Sequence, residues 1–388
     1  MNNKEQKNTA IVIGYKGINS TGLIRSLGLA GYNVTFASSY SKIESKWTTS
    51  YLYLPEDEDE MIDTLCKYIS SLPNKPALFT GDDKTNEFLE KYHSTLDKIC
   101  YCPNANGKLL HISDKSVMSE IARESGLNVP ESIKLNLNSF SKSPIIFPVI
   151  IKPYAGYAGR KTDIRVCRTE EEYSIARKEL LENGYSEVLV QKLIDYPHQK
   201  DVCVMGYSLP GGLVKIVCAV LKIRSYPMGR GSLSFGKVEN LLDEDIKKCL
   251  GEFVSKTGYI GIFDIDLLVC DNKIFFIEIN YRNGQNGFIP TLAGYNIPDN
   301  WFRGMQGIDT DEIKDLNEVY YQDERGDFNH VKEGNISFKR WLQDFRQSTV
   351  HAMYCKGDQR PFWRQYVRFP ERWKRRLKRF FHVKEKGE

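Results

Sequence analysis

Apolar and polar positions follow two rhythms along this chain, and the switches between them mark out its elements. Thr9 to Gly14 is an apolar run of strand length, Leu23 to Gly31 has helical spacing closed by a glycine, and Asn33 to Ala37 is apolar again. This run–helix–run start predicts a βαβ unit and an open α/β sheet. The alternation continues with a helix near 58–71, a strand at 77–80, a helix at 84–93 and a short strand at 99–102. A helix at 116–125 stops at Gly126, and a compact α+β unit follows: strands 147–153 and 164–167, helix 169–183 and strand 187–190. From Gln191 onward the pattern is strand-rich, with strands at 201–207 and 213–222, a loop at 224–236 and a helix at 243–257. Residues 300–360 have the weakest pattern and predict two or more helices.

The segment Gly261 to Arg282 carries the densest chemistry. Two apolar runs flank a polar turn at Asp271-Asn272-Lys273, which predicts a hairpin. Side chains alternate along a strand, so Asp264 and Asp266 share one face of the first run, and Glu278 and Asn280 one face of the second. Pairing the runs brings Asp266, Glu278 and Asn280 together as hard oxygen ligands, the kind magnesium on nucleotide phosphates prefers. A solvated hairpin face is the competing reading, but carboxylates on strands this apolar are seldom left unpaired.

Two lysines add a phosphate-binding theme. Lys152 ends an apolar strand just before Tyr154 to Lys161, a loop of small residues. Gly156 and Gly159 in that loop let the backbone approach a ligand and present N–H groups to an anion. Lys115 stands at a helix start, where N–H groups also favour anions. Singly these are weak signals, because a lysine before proline is more often a surface residue. The glycines at 14, 17 and 22 lack G-x-G-x-x-G spacing, and Ser38-Ser39 rather than an acid closes the second strand. That loop therefore reads as a structural turn.

The order Lys115, Ile150-Ile-Lys152-Pro, Val190-Gln191-Lys192-Leu193-Ile194, Asp201, Asp266 and Glu278-Ile-Asn280-Tyr-Arg282 resembles the ATP-grasp family of ATP-dependent carboxylate ligases. The resemblance implies an α/β (α+β) architecture: an ATP-grasp fold preceded by an open α/β, Rossmann-like N-terminal domain. The implied divisions are 1–110 for that domain and 111–190 for a small subdomain with the phosphate-binding loop. Residues 191–310 would form a large subdomain with the metal hairpin, and 311–388 a helical C-terminal extension with a basic tail.

The family's roles carry over by position, with ATP and Mg²⁺ as implied cofactors. Lys115 and Lys152 would hold the phosphates from two sides, with the loop at 154–161 as a lid. Residues 191–194 would be a hinge, Lys192 and Leu193 offering backbone groups to the adenine edge; Gln191 stands where the family usually has Glu. Asp201 would bond the ribose hydroxyls, with His198 as its rival. Asp266, Glu278 and Asn280 match the magnesium positions, and Arg282 would face the acyl phosphate. Asp264 has no counterpart in the family pattern. The segment from Leu221 to Gly231 is similar to a loop in ligases resembling D-aspartate ligase and relatives in cell-surface polymer clusters. There Arg224 would clamp a substrate carboxylate or the transferred phosphate.

Composition narrows the class. The 388 residues are 41% hydrophobic and 27% charged, in keeping with a globular enzyme, and no apolar run reaches membrane-spanning length. The polar start, Met1 to Asn8, predicts no secretory signal. Nine singly scattered cysteines predict a reducing, cytoplasmic location. The six histidines form no metal-ligand cluster, and no Ser-His-Asp or Cys-His set appears; a ligase working through acyl phosphate needs none. Charge is uneven. Residues 360–388 hold eleven Lys/Arg against three Asp/Glu, whereas the whole chain nets only +4. As a helix from 370, the tail sets Trp373, Leu377, Phe380 and Phe381 on one side among basic residues, which predicts contact with an anionic membrane surface through residues 366–388. An acidic-polymer or nucleic-acid arm, or a tail packed on the body, are the rivals.

The expected activity is amide formation between a small-molecule carboxylate, an amino acid, and an amine acceptor in a cell-wall or surface-polymer precursor. The alternatives are a ligase making a small dipeptide from free metabolites and a nucleotide-binding accessory protein.

Overall fold

In the computed structural model, described for residues 8–40, 42–139, 142–154, 163–195, 199–228, 231–270 and 273–366, the elements gather into three sheets. The first contains β1 (Thr9–Ile13), β2 (Asn33–Ser38), β3 (Thr48–Tyr53) and β4 (Ala77–Thr80), all parallel, in the order β3-β2-β1-β4. Its helices are α1 (Ile18–Leu29), α2 (Glu58–Ser70), α3 (Asp83–Lys91) and α4 (His93–Leu96). All of β1 and β4 is buried, as central strands covered on both faces must be. The edge strand β3 was not expected, because its polar run Thr48-Thr-Ser-Tyr-Leu-Tyr53 has no apolar face to read. The strand expected at 99–102 shrinks to a single bridge between Ala77 and Tyr101.

Aspartates start the helices that border the site. Asp82 accepts from the Thr85 N–H at the start of α3. Asp114 accepts from Ser116 and Val117 at the start of α6 (Lys115–Glu124), just after the short α5 (Leu109–Ile112). Each such cap satisfies helix-end donors and is worth ~1 kcal/mol.

The second sheet is antiparallel: β5 (Ser132–Asn136), β6 (Val149–Pro153), β7 (Arg165–Cys167) and β8 (Glu187–Lys192), in the order β5-β8-β6-β7. Helix α7 (Glu170–Glu182) buries Tyr173, Ala176 and Leu180 against its Val149, Ile151, Val188 and Val190.

The third sheet is the largest, in the order β13-β12-β9-β10-β11-β14-β15. Its strands are β9 (Lys200–Leu209), β10 (Leu213–Tyr226), β11 (Ser232–Val238), β12 (Gly261–Cys270), β13 (Lys273–Asn280), β14 (Tyr320–Gln322) and β15 (Val350–His351). Helix α8 (Glu244–Thr257) covers its back face, where Phe253 meets Phe276 at 4.7 Å between ring centroids. Two expectations change here. The loop at 224–236 is mostly strand, since β10 runs to Tyr226 and β11 starts at Ser232. The extension expected to be helical after 310 also supplies β14 and β15, so the large sheet runs across that boundary.

Helices α9 (Ile289–Ala293) and α10 (Ile297–Met305) join the large sheet to the first one. Trp301 of α10 is fully buried and meets Phe79 of β4 edge-on at 5.2 Å. Beyond them lie α11 (Glu324–Lys332), α12 (Phe338–Gln347) and α13 (Arg360–Tyr366). The two ends of the described chain are also tied. Arg25 of α1 donates to Asp358 at 3.1 Å, with both side chains buried, and Asp358 further accepts from Ser45 and from the Lys46 N–H.

Candidate active site

Two irregularities in the large sheet decide which polar side chains reach one common cleft. On β13 the back-face residues are Ile274 and Phe276, then Ile279, so parity changes once along the strand. The cause is a register shift: Asp266 pairs with Glu278, but Leu267 pairs with Phe276, leaving Ile277 as an extra residue. Without it, Glu278 would follow Phe276 toward the α8 side. With it, Asp264 lies opposite Asn280 and Asp266 opposite Glu278 on the cleft face. On β10, Lys222 pairs with Gly236 but Arg224 with Phe235, so Ile223 is the extra residue. Neighbouring partners on β11 face opposite ways, so Lys222 turns to the cleft and Arg224 away from it.

The cleft has a volume of about 540 Å³ and is walled by the second and third sheets and by helices α1 and α3, which flank the first. Lys115, Lys152, Gln191, Lys192, Leu193, Ile194, Asp201, Asp266, Glu278, Asn280 and Arg282 all line it. Gly156, Gly159 and His198 lie outside the described residues. Arg224 is not on the cleft wall. Its guanidinium forks onto Asp327 of α11 at 2.9 and 2.8 Å and reaches Asp344 of α12 at 2.6 Å. Both carboxylates are buried, so Arg224 ties β10 to two helices, contrary to the expected substrate clamp.

The lysine pair sits close enough for Lys152 to feel the Lys115 charge. Burial pushes Lys152 down to about 8, helped by the Lys115 charge and opposed by Glu278. Burial also lowers Lys115, against the pull of Glu278 and Asp114. Lys152 donates to the Gln191 side-chain oxygen at 3.2 Å, and Lys115 to the Pro153 carbonyl at 3.4 Å. These are weak neutral acceptors for two cations, which leaves both ready for an anion. The Lys192 ammonium instead holds the Ile146 and Phe147 carbonyls. The N–H groups of Lys192 and Leu193 already donate to the Glu131 and Pro148 carbonyls, so neither donor is spare for an adenine edge. Leu193 and Ile194 do begin the link from the second sheet to the third.

On the large-sheet wall, Lys222 is a residue the sequence reading missed. Its ammonium donates to Asp266, and both side chains are largely buried. Burial alone would lower the lysine, but Asp266, through its charge and hydrogen bond, together with Cys203 and Asp264 outweighs it and raises the value. Burial raises Asp201, which Asp266 reinforces and Lys222 opposes. Asp264, set aside on sequence, is also on this wall and 6% exposed. Burial, with Asp266 beside it, pushes its carboxyl up to about 6, while Cys203, Arg282 and Lys222 pull the other way. Arg282 donates to Asp83 of α3 at 2.9 Å and to Asn280 at 3.3 Å, so α3 closes one side of the cleft.

Asp266, Glu278 and Asn280 supply two carboxylates and an amide oxygen within one strand pair, a donor set suited to a hard divalent cation. Glu278 has no hydrogen bond or ion pair among the described residues, and Asp266 already holds an internal cation. The residues present fit a metal. Opposite them, the lysines fit phosphate oxygens. Together they suit a metal–polyphosphate ligand.

No family model matches the chain. It is 24% identical over 245 residues to D-aspartate ligase of Enterococcus faecium, an alignment covering 59% of this chain and 58% of that protein. The chain thus spans less than two thirds of that relative. In fold it is similar to the L-amino acid ligase of Bacillus licheniformis, with a TM-score of 0.62, 18% identity, and 82% and 79% of the two chains covered. It is likewise similar to the biotin carboxylase domain of Hydrogenobacter thermophilus 2-oxoglutarate carboxylase, solved with MgADP, with a TM-score of 0.58, 16% identity, and 81% and 74% covered. Among the described residues no helix is long and apolar enough to cross a membrane.

Proposed function

Because the chain carries the ATP-grasp fold, we propose that it is an ATP-dependent carboxylate–amine ligase that forms an amide through an acyl phosphate. The observation that carries this reading is one cleft in which Lys115 and Lys152 oppose Asp266, Glu278 and Asn280. The similar biotin carboxylase domain was solved with MgADP, which matches the ligand class these residues fit.

The chemistry has two steps. A substrate carboxylate attacks the γ-phosphorus, the β–γ bridging bond breaks, and ADP leaves. An amine then attacks the acyl carbon, phosphate leaves with the C–O bonding pair, and the nitrogen releases a proton. No protein nucleophile is required; the chain supplies position, charge and dryness. Lys115 and Lys152 bind and orient the phosphates, and Asp201 is assigned to the ribose hydroxyls on the strength of the family resemblance. Arg282, steadied by Asp83, presents a planar fork to the acyl phosphate. Asp266, Glu278 and Asn280 would hold magnesium, which when bound neutralises charge on the β- and γ-phosphates.

The finer assignment is an amino acid joined to a cell-wall or surface-polymer precursor. It is supported by the similarity to D-aspartate ligase and by the basic, aromatic residues 366–388, which lie outside the described side chains. A tail of this composition suits an anionic membrane surface, where a lipid-linked acceptor would be found. Co-sedimentation with anionic liposomes that persists after removal of 366–388 would sink the membrane role. The ligase reading is tested by amino-acid-dependent phosphate release from ATP, with D- and L-forms assayed separately. Glu278→Gln should lower that rate by a hundredfold or more while the fold is kept; equal rates would refute the metal assignment.

A further inference from the structure

Two polar side chains on the cleft wall, Asp264 on β12 and Asn286 in the loop after β13, have no part in the phosphate chemistry, and Cys203 on β9 is fully buried beside them. They form a chain. The Asn286 amide donates to the Cys203 sulfur at 3.0 Å, and the Cys203 thiol donates to Asp264 Oδ1 at 2.7 Å. All three are buried, at 4%, 0% and 6% exposure in that order. Both ends are acceptors. Asn286 Oδ1 has no hydrogen-bond partner among the described residues, which is costly for a buried carbonyl. Asp264 Oδ2 faces Gly284, where an added Cβ would stand 2.0 Å from it, so only glycine leaves this oxygen room.

The neighbouring cations are committed elsewhere. Lys222 sits on Asp266, and Arg282 donates to Asp83 and Asn280. The wall therefore presents an amide oxygen with no protein donor among the described residues, beside a buried carboxylate whose donor is a weak thiol. The complementary group is small, cationic and rich in donors, which describes an ammonium with three N–H and no acceptor.

We propose that Asp264 and Asn286 bind the ammonium of the amine-bearing substrate, and that Cys203 fixes the orientation of both. This rests on the ligase reading and adds to it a substrate class: an amine recognised in its cationic form beside the metal carboxylates. A phosphate or carboxylate group at the same place would meet only oxygen acceptors and be repelled.

Calorimetric titration of the full chain, with and without MgADP, uses free L- and D-amino acids and their N-acetyl derivatives as probes. At least one free amino acid should bind, with its N-acetyl form weaker by roughly tenfold or more. Asp264→Asn and Gly284→Ala should each weaken the free amino acid by a similar factor, with MgADP affinity within about threefold of wild type. The site is overturned if N-acetyl forms bind equally, if Asp264→Asn binds free amines like wild type, or if no free amino acid binds wild type. It is also overturned if Asp264→Asn loses MgADP, which would place Asp264 among the metal ligands. Failure of wild type to bind MgADP would instead sink the ligase reading, leaving the nucleotide-free titration to decide the amine site.

Discussion

Lys222 reaches over an intervening strand to hold Asp266: β9 lies between β10 and β12, and the ammonium crosses it beside Cys203. The pair seats an internal cation on a carboxylate that belongs to the proposed metal set. Binding of a nucleotide's magnesium then becomes an exchange or sharing of cations on Asp266.

Lys222→Met removes that cation and leaves Asp266 without its ion pair beside buried Asp264, which still feels Arg282. The expected loss in urea-unfolding free energy is ~1–3 kcal/mol at pH 7. Millimolar Mg²⁺ should restore part of it by binding the folded state preferentially. An unchanged midpoint, or one that ignores Mg²⁺, would contradict the exchange.

Lys152 carries a folding cost with a defined pH window. Its value falls from the usual 10.5 to about 8, chiefly through burial, so folding disfavours the charged form. The cost is fully present below about 8 and fades as pH rises toward 10.5. Lys152→Met should therefore melt higher than wild type at pH 7 by calorimetry, and the gap should narrow by pH 10. Nucleotide affinity should fall in the same variant, the usual tension between a site's chemistry and its stability. A gap independent of pH would refute the assignment.

Arg224 is expected to act on stability alone. Asp327 and Asp344 are buried at 0% and 2% side-chain exposure, so Arg224→Met takes a cation from two buried carboxylates, leaving Asp344 to Arg340 and Asp327 to Ser234 and Gln322, and should cost ~3–5 kcal/mol. At temperatures where the variant stays folded, the KM for ATP should stay within about threefold. A collapse of kcat in folded protein would return Arg224 to the chemistry.

Local pattern made much of the fold legible, and tertiary pairing hid the rest. The apolar runs of β1 and β4 are buried because both faces are covered, and such runs read directly as strands. The polar edge strand β3 and the two-residue β15 have no such run. Asp266, Glu278 and Asn280 lie within one hairpin, so their company was visible in a single stretch. Lys222 and Cys203 join them only through β9 and β10, whose register no local signal reports. Arg224 was misplaced because simple alternation puts it on the face of Lys222, and the extra residue Ile223 cancels that alternation. Asp264 was set aside for want of a family counterpart, although its parity with Asp266 already pointed to the cleft.

The buried pairing of Arg25 with Asp358 joins residues 333 positions apart. On a ribosome adding roughly 5–20 residues per second, that interval is on the order of twenty seconds to a minute. Through that time α1 exposes a guanidinium destined for full burial, with its partner not yet made. The first sheet can assemble early from local contacts, but its final packing awaits almost the last element of the described chain. Synthesis interrupted before residue 358 therefore leaves more than a missing terminus: it leaves the first helix unfinished, and a nascent chain that quality control can recognise as incomplete from its opening residues.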